Sequence, residues 1–118
     1  YKSLSVIIKV CASFDYEKKE IKMYKIIAQN DAPLPKQDTI TIFGQGVNSF
    51  MPVKFNRPGA YHYCICPLNH KQLPALNHDK WVDVEISVVA SDLELELESI
   101  NYIKCGRFYD KDCARFNE

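Results

Sequence analysis

An all-β sandwich is the fold this sequence predicts, and three observations predict it. Apolar and polar residues alternate with a period of two along several short stretches, the pattern of a strand with one face in water. Gly, Pro and Asn-Asp punctuation separates many of those stretches. The most regular stretch, Leu93-Glu94-Leu95-Glu96-Leu97-Glu98, uses helix-favouring residues in a strand period. Strict alternation would scatter the leucines around an amphipathic helix, so the period outweighs the propensity.

The elements follow in order. Strands are expected over 4–10, 21–28, 39–43, 50–55, 60–66, 81–90 and 93–103, with a short one over 114–117. Gly44-Gln45-Gly46 is a turn after the third of them, too short for a dinucleotide fingerprint and followed by strand. Arg57-Pro58-Gly59 is a tight turn, because proline presets φ and glycine accepts a positive φ. Beyond it, Tyr61, Tyr63 and Ile65 alternate with His62, Cys64 and Cys66. Val82, Val84 and Ile86 alternate with Asp83 and Glu85, whose carboxylates should therefore face water. The glutamates of 93–98 make a solvated face that discourages edge-to-edge pairing. The least regular part is 67–80, an insertion-like loop with two prolines and two histidines. Phe14, Tyr16, Phe43, Trp81, Tyr102, Phe108 and Tyr109 are expected mostly in the core or on strand faces.

The chain has 118 residues, enough for one domain (1–118) and one modest core. Hydrophobic residues make up 47% and charged residues 25%, an ordinary globular balance that argues against disorder. Formal net charge is zero, so no basic footprint for nucleic acid or an anionic membrane is present. The longest apolar runs are strand-length, so no membrane insertion is expected in this segment. No apolar leader is visible, and a surface protein would be represented here by a processed form or a cloned fragment.

The stretch Phe50-Met51-Pro52-Val53-Lys54-Phe55-Asn56-Arg57-Pro58-Gly59-Ala60-Tyr61-His62-Tyr63-Cys64-Ile65 resembles the F-x-x-I-x-F-x-x-P-G-x-Y-x-Y-x-I core of Gram-positive pilin domains, the group that includes the streptococcal major backbone pilin. Further fragments are similar in the same order. Val6-Ile7-Ile8-Lys9-Val10 is similar to the family's V-x-V-x-K first strand, and Asp31-Ala32-Pro33-Leu34-Pro35 to its A-P-x-P entry. Ile40 to Ile42 with Gly44-Gln45-Gly46 resembles the strand and turn that follow. Trp81 to Val88 resembles the Y-x-V-x-V-x-V strand, and Ala114-Arg115-Phe116-Asn117 the closing F-x-N. The resemblance covers most of the chain and implies an antiparallel, immunoglobulin-like β-sandwich.

It also implies a chemistry. In such domains a first-strand lysine condenses with an asparagine near the domain's end to form an intramolecular isopeptide bond, assisted by a buried acid. Burial must lower the lysine pKa so that it can attack, and raise that of the acid so that it can polarise the amide. By position the lysine is Lys9 and the asparagine is Asn117. The acid's usual position, two residues beyond Ile65, holds Pro67. Proline carries no proton, so the resemblance implies a degenerate site.

Five cysteines in a domain of this size suggest a disulfide framework if the chain is exported, and are a departure from the family's usual composition. Cys105 and Cys113 could close the short excursion between them, and Cys11 with Cys66 could tie the first strand to the strand of the missing acid. The alternative is that the cysteines are reduced, small buried residues. His62, His70 and His78 with Cys64 or Cys66 follow no standard zinc spacing. No histidine lies upstream of His62 to complete a type 1 copper set. No metal, cofactor or catalytic constellation is assigned.

These readings converge on a structural or adhesive domain of a bacterial surface or pilus protein, extracellular and attached to the cell wall. Its expected partners are other surface or pilus subunits, a host protein or a glycan. The alternative is a ligand-binding module for a glycan, host protein or metal that uses 67–80 for recognition.

Overall fold

The computed structural model describes residues 1–13 and 20–117, the last of these by its backbone alone. Phe14 and Tyr16 therefore lie outside the described residues. The strands are β1 (Leu4–Val6), β2 (Lys9–Ser13), β3 (Ile21–Ala28), β4 (Thr39–Phe43), β5 (Gly46–Ser49), β6 (Val53–Phe55), β7 (Gly59–Leu68), β8 (Val82–Ser91), β9 (Glu94–Lys104), β10 (Arg107–Asp110) and β11 (Ala114–Asn117). One short 3-10 turn, His78–Lys80, precedes β8. Among the described residues no helix is long and apolar enough to cross a membrane.

The expected antiparallel β-sandwich forms. One layer is a six-stranded sheet in the order β10-β9-β8-β7-β3-β4, and opposite it lie a three-stranded sheet, β11-β2-β5, and the pair β1-β6. Among the described residues every strand pairing is antiparallel except one: β11 runs parallel to β2, with Ala114 opposite Val10 and Asn117 opposite Ser13. The first long strand and the last are thus direct neighbours.

Alternation explains the core. Tyr24 and Ile26 of β3, Ile40 and Ile42 of β4, and Tyr63 and Ile65 of β7 are buried, as are Val82, Val84, Ile86 and Val88 of β8. Val10, Ala12, Ala114 and Phe116 answer them from the facing sheet, with Val53 and Phe55 beside them. Burying each larger side chain contributes about 1.5–3 kcal/mol. Tyr24 and Phe116 close the gap between layers with ring centroids 4.5 Å apart. The Tyr63 hydroxyl, also buried, donates to the Pro33 carbonyl, so its polar tip is satisfied.

Several elements differ from the expected strands: β5 begins inside the expected Gly44-Gln45-Gly46 turn and was not among them, 50–55 shortens to Val53–Phe55, and β7, β8 and β9 shift their ends by one or two residues. The stretch 4–10 divides into β1 and β2, which pair with different partners. Residues 107–110, read as an excursion between cysteines, form β10 on the edge of the large sheet. The Arg57-Pro58-Gly59 turn carries the chain between layers, since β6 pairs with β1 and β7 with β3 and β8. Gly59 sits there at φ +153°, a conformation that costs glycine least.

Candidate functional site at the seam of the first and last strands

The parallel seam between β2 and β11 gathers the chemistry-bearing side chains. Its local cause is the turn after β10. Asp110 accepts from the backbone N–H of Asp112 (2.7 Å) and from that of Cys113. Its other oxygen takes the Arg115 guanidinium, with Nε at 3.3 Å and Nη2 at 3.2 Å. These donors hold the Asp110 carboxyl below its ordinary value, the Asp112 N–H most strongly. A carboxylate that collects two backbone donors and a guanidinium fixes the turn, and the turn delivers Cys113 to the seam.

Cys113 is buried, and its thiol lies beside that of Cys11, which is half-buried on β2. Burial first, then the neighbouring Cys11 thiol and the charge it would carry, push the Cys113 thiol well up; nearby Arg115 opposes them. Tyr102 of β9 lies against the same group, and its hydroxyl accepts from the Lys9 backbone N–H at 3.2 Å. Desolvation raises that phenol to about 12, so it stays protonated across the physiological range. The seam thus joins two adjacent thiols, an ion pair and a phenol from the opposite sheet.

Lys9 and Asn117 lie on these same neighbouring strands, as the resemblance implies, but out of register for condensation. Lys9 is opposite Ser49 on one side, and Asn117 is opposite Ser13 on the other. Four strand positions, about 13 Å at 3.3 Å per residue, separate their levels along the seam. The Lys9 side chain is also exposed, which removes the desolvation that would make it a nucleophile. Pro67 pairs with Tyr24 at the end of β7 and is half-buried.

The anticipated cysteine pairs are not the ones brought together. Cys105 is exposed, with its sulfur 3.9 Å from an Asp79 carboxylate oxygen. Cys66 is buried and donates to the Lys25 carbonyl on β3. All five cysteines are free thiols. Cys105 lies in the turn between β9 and β10, with the length of β10 between it and Cys113 along the chain. Neither Asp110, Arg115 nor Tyr102 was singled out from the sequence as a site residue. The available signal was the turn chemistry of Asp110-Lys111-Asp112, where aspartate bonds the backbone two residues on.

The carboxylates of β8 face water, as alternation requires. Asp83 accepts from the Cys64 thiol at 3.2 Å, and Glu85 lies 3.7 Å from His62 across the strand pair. Cys64 is pushed up to about 11, chiefly by burial and then by its bond to Asp83.

The 67–80 loop is ordered by its own hydrogen bonds. Asn69 accepts from the N–H groups of Lys71 and Leu73, Ala75 N–H donates to Pro67, and Trp81 Nε1 donates to Ala75. The Trp81 indole is stacked on His78 with centroids 4.2 Å apart. Beside the loop is an open groove of about 960 Å³ lined by Tyr24, Phe116, Lys22, Lys80, Lys104 and His70, among others.

A scan against protein-family models finds no match to this chain, and a search of curated proteins finds no relative.

Proposed function

We propose that this chain is a structural, load-bearing domain of a bacterial surface or pilus protein, with a degenerate isopeptide site. The observation that carries the reading is the parallel pairing of β2 with β11. The chain enters β2 at one end of the seam and leaves β11 at the other. Tension along the chain therefore shears the seam and loads its hydrogen bonds together, whereas a hairpin pulled from its open end loses them one at a time. The resemblance to pilin domains along most of the sequence supports the same role, as does an elongated body 52 Å long and 27 × 23 Å across.

Force spectroscopy tests it. The reduced domain, pulled through its two ends, is expected to unfold in one high-force event. Pulling across the β8–β9 hairpin should require much less force. Equal forces in the two geometries would remove the basis for a mechanical role.

The groove beside the 67–80 loop favours a second reading, a ligand-binding module. Three lysines along one groove, Lys22, Lys80 and Lys104, suit a glycan that bears acidic groups. A raised melting temperature with acidic oligosaccharides, lost on Lys80→Ala, is the outcome expected of that reading.

A further inference from the structure

We propose that Cys11 and Cys113 are a redox-responsive pair that closes a disulfide across the parallel seam and locks the first long strand to the last. The parallel register sets Arg115 opposite Cys11, so Cys113, two residues earlier on the same side of that strand, stands diagonally beside Cys11. Arg115, opposite Cys11 in the strand register, keeps a guanidinium beside Cys113. Asp110 holds the Cys113 backbone at the seam through its N–H.

The oxidant is a small-molecule disulfide. Cys11, the more exposed of the two, loses its proton and attacks one sulfur of the oxidant, which leaves as a thiolate. Cys113 then gives up its proton, and the developing thiolate is stabilised by Arg115. It attacks the Cys11 sulfur and releases the second thiol. Two protein thiols and one oxidant disulfide become one protein disulfide and two small thiols, with two electrons passing to the oxidant.

The consequence follows from position. The bond joins residues 11 and 113, so nearly the whole domain lies inside the closed loop. Tension entering at β2 would cross directly to β11 and bypass everything between. That mechanical effect rests on the load-bearing reading; formation of the bond does not.

The test is to incubate the full chain with oxidised glutathione, alkylate the remaining thiols and map peptides without reduction. The expected result is a Cys11–Cys113 cross-linked peptide, three alkylatable cysteines and a raised melting temperature. Cys105→Ser should leave the cross-link in place. Cys11→Ser, at a half-buried site, should abolish it while the domain stays folded by circular dichroism. A folded protein that keeps five alkylatable thiols, or that joins Cys113 to any cysteine other than Cys11, would overturn the proposal. In the cross-linked form, forced extension should lose the length contributed by residues 12–112. If the mapped bond forms but the two pulling directions still unfold at equal force, the mechanical role fails and the redox pair stands.

Discussion

Asp110 shows how one carboxylate organises the seam. Its side chain is mostly covered and takes the N–H groups of Asp112 and Cys113 together with the Arg115 guanidinium. Asp110→Ala removes all of these, with an expected loss of roughly 1–3 kcal/mol, since bonds to charged groups exceed neutral ones. The sign of the pH dependence follows from the lowered pKa. A carboxyl that binds its proton less readily folded than unfolded adds stability above its ordinary value of 3.8. That contribution fades as pH falls from there through the lower folded value. Urea titrations between neutral and acid pH should show an acid-side loss that is smaller in Asp110→Ala; identical pH slopes would contradict it. Neither Asp110 nor Arg115 was given a role from the sequence. Their meeting depends on β10 turning back toward β11, which no local pattern announces.

At the scale of elements, alternation carried most of the information. β3, β4 and β11 have the expected bounds, and β4 and β11 alternate along their length. The 93–98 alternation is strand from Glu94 on, with Leu93 in the turn before it; only Leu95 of its leucines is buried, and Leu93 and Leu97 are exposed. The β8–β9 register shifts between Ser87 and Val88, whose partners are Ser99 and Leu97. Glu98 is therefore the extra residue of a bulge, and the buried set resumes at Tyr102. Phe43 and Phe108 are exposed on strands at opposite edges of the large sheet, where the second layer does not cover them. The short β11 matters beyond its length, because Phe116 packs on Tyr24 across the layers. Phe116→Ala should cost about 3–5 kcal/mol, read as a lower denaturation midpoint. A shift under about 1 kcal/mol, the size of a surface change, would mean that the two sheets are held together elsewhere.

The whole molecule is defined by a closure between its beginning and its end. β2 and β11 cannot pair until the chain between them has been brought together, and loop-closure entropy is lost before those contacts form. Refolding is accordingly expected in milliseconds to seconds, the range of β-sandwiches with non-local pairings. Stopped-flow fluorescence of Trp81, which is packed against His78 beside β8, would read it. Microsecond refolding would show that the seam does not limit the rate.

The sequence by itself determined the fold class, most strand positions and the water-facing side of Asp83 and Glu85, because period-two alternation is local and hydrophobic burial acts on it directly. It also placed Lys9 and Asn117 on strands at the two ends of the fold. Their register, the exposure of Lys9, and the meeting of Cys11 with Cys113 were decided only by tertiary structure. Register and cross-sheet contact depend on how distant segments pack, and a one-residue slip in that packing moves every side chain of a strand to its other face.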